Sequence, residues 1–77
     1  MIIKYFGELE DTTGVSGEDV ELKGKDLEAL AKYLVETYQI DLKQYRIAIN
    51  HNIIAWEDDV KIGPTDEIAI LSPFAGG

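Results

Sequence analysis

The clearest pattern in this chain is a single apolar stripe at helical spacing. Leu27, Leu30, Ala31, Leu34, Val35 and Tyr38 fall at i, i+3, i+4, i+7, i+8 and i+11, the repeat of one helix face. Glu28, Lys32 and Glu36 take the opposite face at i, i+4 spacing, where a pair of opposite charges adds about 0.2–0.5 kcal/mol. Asp26 and Glu28 stand at the start, where the helix dipole favours anions. Asp26 or Gly24 is the candidate N-cap. Such a helix is marginal alone in water, so its stripe requires an apolar surface to lie on.

Alternating segments supply that surface. In a strand over residues 1–7, Ile3 and Tyr5 point one way and Ile2, Lys4 and Phe6 the other. Val20 and Leu22 alternate with Asp19, Glu21 and Lys23, which predicts a second, half-buried strand. Tyr45, Ile47 and Ile49 alternate with Arg46, Ala48 and Asn50, and Ile68 and Ile70 with Ala69 and Leu71. Asn50-His51-Asn52 is a turn candidate, because Asn tolerates left-handed dihedrals, and residues 53–56 read as a short return strand. Residues 8–17, with Gly14 and Gly17, read as a loop holding one helical turn. Residues 57–66 are polar, with a turn at Gly63-Pro64. Pro73 ends the last ladder, since it has no N–H to donate.

The predicted class is therefore α+β, with one main helix on one face of a mixed sheet. Its 77 residues are expected to make one domain, 1–77, with a protruding tail over 73–77. Ile3, Tyr5, Ile47, Ile49, Ile68 and Ile70 face the helix. The other face receives Phe6, Ala48, Ala69 and Leu71, with Lys4 and Arg46 among them. An uncovered, partly apolar face is a candidate partner surface, though scattered surface apolars are ordinary.

Composition removes several classes of function. Acidic residues number 15 and basic residues 7, for a net charge of −8. Nucleic-acid phosphates call for a basic face, and anionic membranes repel this charge. No apolar run approaches the ~20 residues of a membrane span, and the first residues lack the pattern of a secretory signal. Cysteine is absent, so disulfides, zinc–thiolate sites and a thiol nucleophile are excluded. The expected compartment is the cytoplasm.

Little catalytic chemistry remains. The chain has neither a Gly-rich Lys-Ser/Thr phosphate loop nor Gly-x-Gly-x-x-Gly. His51, the one histidine, falls in the predicted turn, away from any nucleophile. Glu57-Asp58-Asp59 lacks the spacing of a calcium loop and reads as a solvated turn. Glu10-Asp11 and Glu18-Asp19 read as solvated loop charges. What is left is the ending Pro73-Phe74-Ala75-Gly76-Gly77. Glycine makes up about 7% of residues, so two at fixed terminal positions arise by chance in ~0.5% of chains. A frayed tail is the bland reading. The functional reading is that a terminus without Cβ atoms threads a narrow channel in a partner and presents the Gly77 carboxylate for activation. Such a carrier needs no acid, base or metal of its own.

The residues now resemble a known family. Tyr5-Phe6-Gly7-Glu8-Leu9 with Thr13-Gly14, Ile47-Ala48-Ile49-Asn50, Asp66-Glu67-Ile68-Ala69 and Ser72-Pro73-Phe74-Ala75-Gly76-Gly77 are similar to segments of the β-grasp, ubiquitin-like sulfur carriers. Within that group the chain resembles the MoaD family, the small subunits of molybdopterin synthase. It departs at Ser72 and Phe74, where the family usually has proline and valine, and at Glu10, where arginine is common. The thiamin-pathway carrier ThiS usually has a shorter segment before the helix than the 8–23 stretch here.

The resemblance implies a β-grasp fold and a carrier that is no enzyme on its own. A ubiquitin-activating-like adenylyltransferase of MoeB type would adenylate Gly77 with ATP and magnesium, and a sulfur donor protein would convert it to a thiocarboxylate. A MoaE-like large subunit would take the tail, and sulfur would pass to a cyclic pyranopterin precursor within a heterotetramer. Partner contacts are expected at Phe6, Leu71, Pro73, Phe74, Ala75 and Gly76. No metal or cofactor is expected on this chain. Three rivals stand beside this reading: a thiamin-type carrier, a protein modifier attacked by a lysine, and a plain β-grasp binding module.

Overall fold

A computed structural model of the chain describes residues 1–22 and 26–72. In chain order the elements are β1 (Ile2–Tyr5), α1 (Leu9–Thr13), β2 (Gly17–Asp19), α2 (Leu27–Tyr38), a 3-10 turn (Leu42–Gln44), β3 (Arg46–Ile49), β4 (Asn52–Ile54) and β5 (Glu67–Leu71). The strands form one mixed sheet in the order β2-β1-β5-β3-β4. β1 runs parallel to β5, and the other neighbours are antiparallel. The first and last strands therefore lie side by side at the centre of the sheet.

The alternation decides the layers. Ile3, Tyr5, Ile47, Ile49, Ile68 and Ile70 are each 8% exposed or less, and they pack with Leu27, Leu30 and Leu34 of α2 in one cluster. Asp26 caps α2, its carboxylate accepting the Ala29 N–H at 2.9 Å. Val35, expected in the stripe, is 44% exposed. It lies at the stripe's edge beyond Ala31, which is itself only half-buried. Leu9 reaches the core from α1, and Gly14 ends that helix at φ 82°, a dihedral that glycine adopts without penalty.

Three segments differ from expectation. β2 lies at Gly17–Asp19 rather than over Val20 and Leu22, because the antiparallel register sets Gly17 opposite Lys4 and Asp19 opposite Ile2. Val20 makes the last rung, its N–H donating to the Met1 carbonyl at 2.9 Å. Val20 is still buried and Leu22 still packs on the core, so the alternation marks buried positions although the ladder forms earlier in the chain. Second, the polar stretch over 57–66 delivers Ile62 to the core at 2% exposure. It is held there by the Leu27 N–H donating to the Val60 carbonyl at 3.1 Å and by a bridge between Asp26 and Lys61. Third, the strand expected over 1–7 stops at Tyr5.

Both predicted turns form. Asn50 and His51 make a two-residue connection between β3 and β4, with φ 50° and 71°. Gly63 starts the turn into β5, where its N–H donates to an Asp66 carboxylate oxygen at 2.7 Å and its carbonyl accepts the Asp66 N–H at 3.2 Å.

Candidate functional site

The sheet face turned away from α2 is built in rows. At one end Arg46 is in register with Leu71, the last residue of β5. The Phe6 N–H donates to the Ile70 carbonyl at 3.1 Å, which carries the β1–β5 register one residue past Tyr5 and sets Phe6 beside Leu71. The next row is Lys4, Ala69, Ala48 and Ile53. The third begins Ile2, Glu67. Phe6 and Ile2 are each 42% exposed and Ile53 57%, while Leu71 is half-buried. This is the expected partner face, with Phe6 and Leu71 brought together at its end.

A shallow groove of 490 Å³ runs between β1 and β2, lined by Ile2, Lys4, Phe6 and Gly17 among others. Gly17 leaves its floor bare. A Cβ there would stand 3.1 Å from the Ile3 carbonyl oxygen, so glycine also permits the close approach of the two strands.

The charges of this face are mostly spent within the chain. Lys4 pairs with Glu67 at 3.0 Å, diagonally across β1 and β5, and Asp19 with the N-terminal ammonium at 3.4 Å. His51 sits at the opposite end of the sheet from Leu71, exposed in the turn. Asp58 accepts the Ala55 N–H at 3.0 Å, so the acidic run it belongs to closes a turn. Among the described residues no group of three or more His, Asp or Glu is placed to hold a metal ion. Of the expected site residues, Pro73, Phe74, Ala75, Gly76 and Gly77 lie outside the described residues.

Glu18 is the residue that sequence reasoning misplaced. It is not a solvated loop charge. In β2 it lies opposite Ile3, on the helix side of the sheet. Its carboxylate accepts the hydroxyls of Tyr5 and Tyr33, each at 2.6 Å, and of Tyr38. Burial pushes the Glu18 carboxyl up, but the hydroxyls of Tyr33, Tyr38 and Tyr5 together hold it below the ordinary glutamate range. Burial first, and then the Glu18 hydrogen bond and charge, push all three phenols up. The rings meet edge to face, Tyr38 against Tyr5 at 5.8 Å and against Tyr33 at 6.4 Å between centroids. This cluster ties the edge strand to α2. The available signal was Tyr5 and Tyr38 on faces already expected to meet, with Glu18 two residues before Val20 on the inward alternation; Tyr33 lies outside the expected stripe.

The segments that carried the resemblance also meet. Asn50 Nδ2 donates to Asp66 at 2.9 Å, Asn50 Oδ1 accepts the Glu67 N–H at 3.0 Å, and the Asn50 N–H donates to the Glu67 carbonyl at 2.8 Å. The Gly63 N–H first, and then Asn50, hold the Asp66 carboxyl below the usual aspartate range. Asn50 and Asp66 therefore earn their place by closing the β3–β5 end of the sheet.

The sequence model of the ThiS family matches residues 3–77. The chain belongs to the ThiS family. Its sheet and single main helix are the β-grasp of the ubiquitin-like sulfur carriers and modifiers, the MoaD/ThiS group. A candidate molybdopterin converting factor, subunit 1, from Pyrococcus furiosus matches with TM-score 0.72 and 23% identity over 94% of each chain. Small archaeal modifier protein 1 of Methanosarcina acetivorans matches with TM-score 0.72 and 22% identity, over 99% of this chain and 94% of that one. Its counterpart from Haloferax volcanii matches with TM-score 0.72 and 20% identity, over 100% and 98%. At these identities the structures show the fold alone. A search of the curated proteins finds no match. Among the described residues no helix is long and apolar enough to cross a membrane.

Proposed function

We propose that this ThiS-family chain is a sulfur carrier serving a molybdopterin synthase, with Gly77 as the atom-bearing residue. The observation that carries the reading is the Gly76-Gly77 ending, reached by a family match that runs to residue 77. The Gly77 carboxylate attacks the α-phosphorus of ATP, held with magnesium by a MoeB-like adenylyltransferase, and pyrophosphate leaves. A persulfide on a sulfur donor protein then attacks the acyl carbon and displaces AMP, and a second thiol cleaves the resulting acyl disulfide, forming a disulfide with the donor and releasing the thiocarboxylate. A MoaE-like large subunit binds the sheet face around Phe6 and Leu71 and takes Pro73, Phe74, Ala75 and Gly76 into its channel. There the sulfur passes to the pyranopterin precursor. The Pyrococcus protein named as a converting-factor subunit supports the pterin acceptor.

The modifier proteins of the same fold favour a second reading. In it a lysine amine attacks the same adenylate, forms an isopeptide bond and releases AMP. Intact mass spectrometry separates the two after incubation with the adenylyltransferase, ATP, magnesium and a sulfur donor. The carrier reading expects an oxygen-to-sulfur mass increase, lost when Gly77 is deleted while the fold persists. The modifier reading expects the carrier's mass added to a target protein. A Gly77-deleted chain that still acquires and transfers sulfur would sink the proposal.

A further inference from the structure

The net charge of −8 suggests a basic partner, and the sheet face does not follow it. Lys4 is neutralised by Glu67 and Asp19 by the N-terminal ammonium. The cation left over is Arg46, the chain's one arginine. It is exposed, and among the described residues no carboxylate stands within ion-pair distance of it. Its position is what gives this weight. It is opposite Leu71, in the row that Phe6 completes, at the end of β5 from which the chain continues to Pro73. In the adjoining row Ala48 and Ala69 offer no tall side chains to cover it.

A guanidinium presents a planar fork that matches a carboxylate in two hydrogen bonds. Arginine beside aromatic and aliphatic anchors is also the composition of interface hot spots. We propose that Arg46 is a specificity-determining contact of the face, and that the adenylating enzyme presents a carboxylate to it. Around that carboxylate the enzyme would offer an apolar strip for Phe6, Leu71 and Ile53. The inference rests on the carrier reading only as far as activation of Gly77, a step the pterin, thiazole and modifier variants share. It also gives the chain's many acids a part. On the open sheet face, where Lys4 is paired with Glu67, they disfavour acidic surfaces away from Arg46, so an enzyme with one well-placed carboxylate is favoured in one orientation.

The test is ATP–pyrophosphate exchange by the MoeB-like adenylating enzyme of the source organism, with the full-length chain as varied substrate. Arg46→Glu, Arg46→Lys and Lys32→Glu are compared with the wild type. Lys32→Glu makes the same change in net charge on the exposed side of α2. Arg46→Glu is expected to raise KM for the carrier at least about tenfold with kcat nearly unchanged, because the lost contact acts in docking. Arg46→Lys should fall between, and Lys32→Glu should move KM less than about twofold. The melts of wild type, Arg46→Glu and Arg46→Lys should coincide, since position 46 is exposed, while Lys32→Glu should melt lower because the new carboxylate faces Glu28 and Glu36. A shift in Arg46→Glu no larger than in Lys32→Glu, with the wild type active, would overturn the inference and leave the carrier reading standing. A wild type that supports no exchange would instead overturn the carrier reading, and this contact with it.

Discussion

The Asn50 carboxamide bonds Asp66 and the Glu67 N–H, joining the β3–β4 turn to the start of β5. Its backbone sits at φ 50°, within the range that Asn visits more readily than most residues. His51 follows at φ 71°, where a two-residue hairpin loop ordinarily has glycine. Holding a β-carbon in the left-handed region costs about 1–2 kcal/mol, and glycine's extra unfolded-state freedom returns about 0.5–1 kcal/mol of that. His51→Gly should therefore stabilise the fold by roughly 0.5–1 kcal/mol, read as a higher urea midpoint at unchanged slope. His51→Ala should bring no gain, because it keeps the Cβ. A loss in His51→Gly would mean that the imidazole makes a stabilising contact with its surroundings. The turn lies at the far end of the sheet from Leu71, so sulfur transfer should not change.

At the scale of elements, the Glu18 cluster couples the short edge strand β2 to α2 and to the buried Tyr5 of β1. Three rungs alone would hold β2 weakly. Because the Glu18 carboxyl titrates below its ordinary value of about 4.3, its contribution to stability is present above that pH and is lost as pH falls through the folded value. The phenols titrate above their ordinary value of about 10, so their contribution is complete below that pH and is lost as pH rises past it. Glu18→Gln removes the charge and leaves one acceptor oxygen for three hydroxyls. It should cost about 2 kcal/mol at neutral pH. It should also flatten the acid limb of the stability profile and draw the phenolate absorbance titration back toward the ordinary tyrosine range. Wild-type tyrosines that all titrate at the ordinary value would show that the cluster does not persist in solution.

For the molecule as a whole, the sheet divides the chain into a face packed on α2 and an open face, the one proposed for a partner. Leu30 of α2 is fully buried against the sheet, whereas Phe6 is 42% exposed on the open face. Leu30→Ala should cost ~2–5 kcal/mol of stability. Phe6→Ala should leave the melt nearly unchanged and weaken binding to the proposed large subunit by ~2 kcal/mol or more. Calorimetric titration paired with thermal melts separates the two effects. A Phe6→Ala chain that unfolds while keeping its affinity would move the docking surface elsewhere.

The sequence alone determined whatever depends on local periodicity and local backbone chemistry. The 3.6-residue stripe of α2, the inward set Ile3, Tyr5, Ile47, Ile49, Ile68 and Ile70 and the Asn50-His51 turn are all short-range properties, legible as such, while the choice of Asp26 over Gly24 as the cap needed the structure. The tertiary structure decided what joins distant segments. β2 has only three residues, too few to show a period, so pairing with β1 chose its position and turned Glu18 inward. Ile62 is buried because α2 closes over the 57–66 stretch, although its neighbours are polar. Arg46, Leu71 and Phe6 share one row because β5 inserts between β1 and β3. A pattern along the chain says which way each side chain points, and only the order and register of the strands say which side chains it will meet.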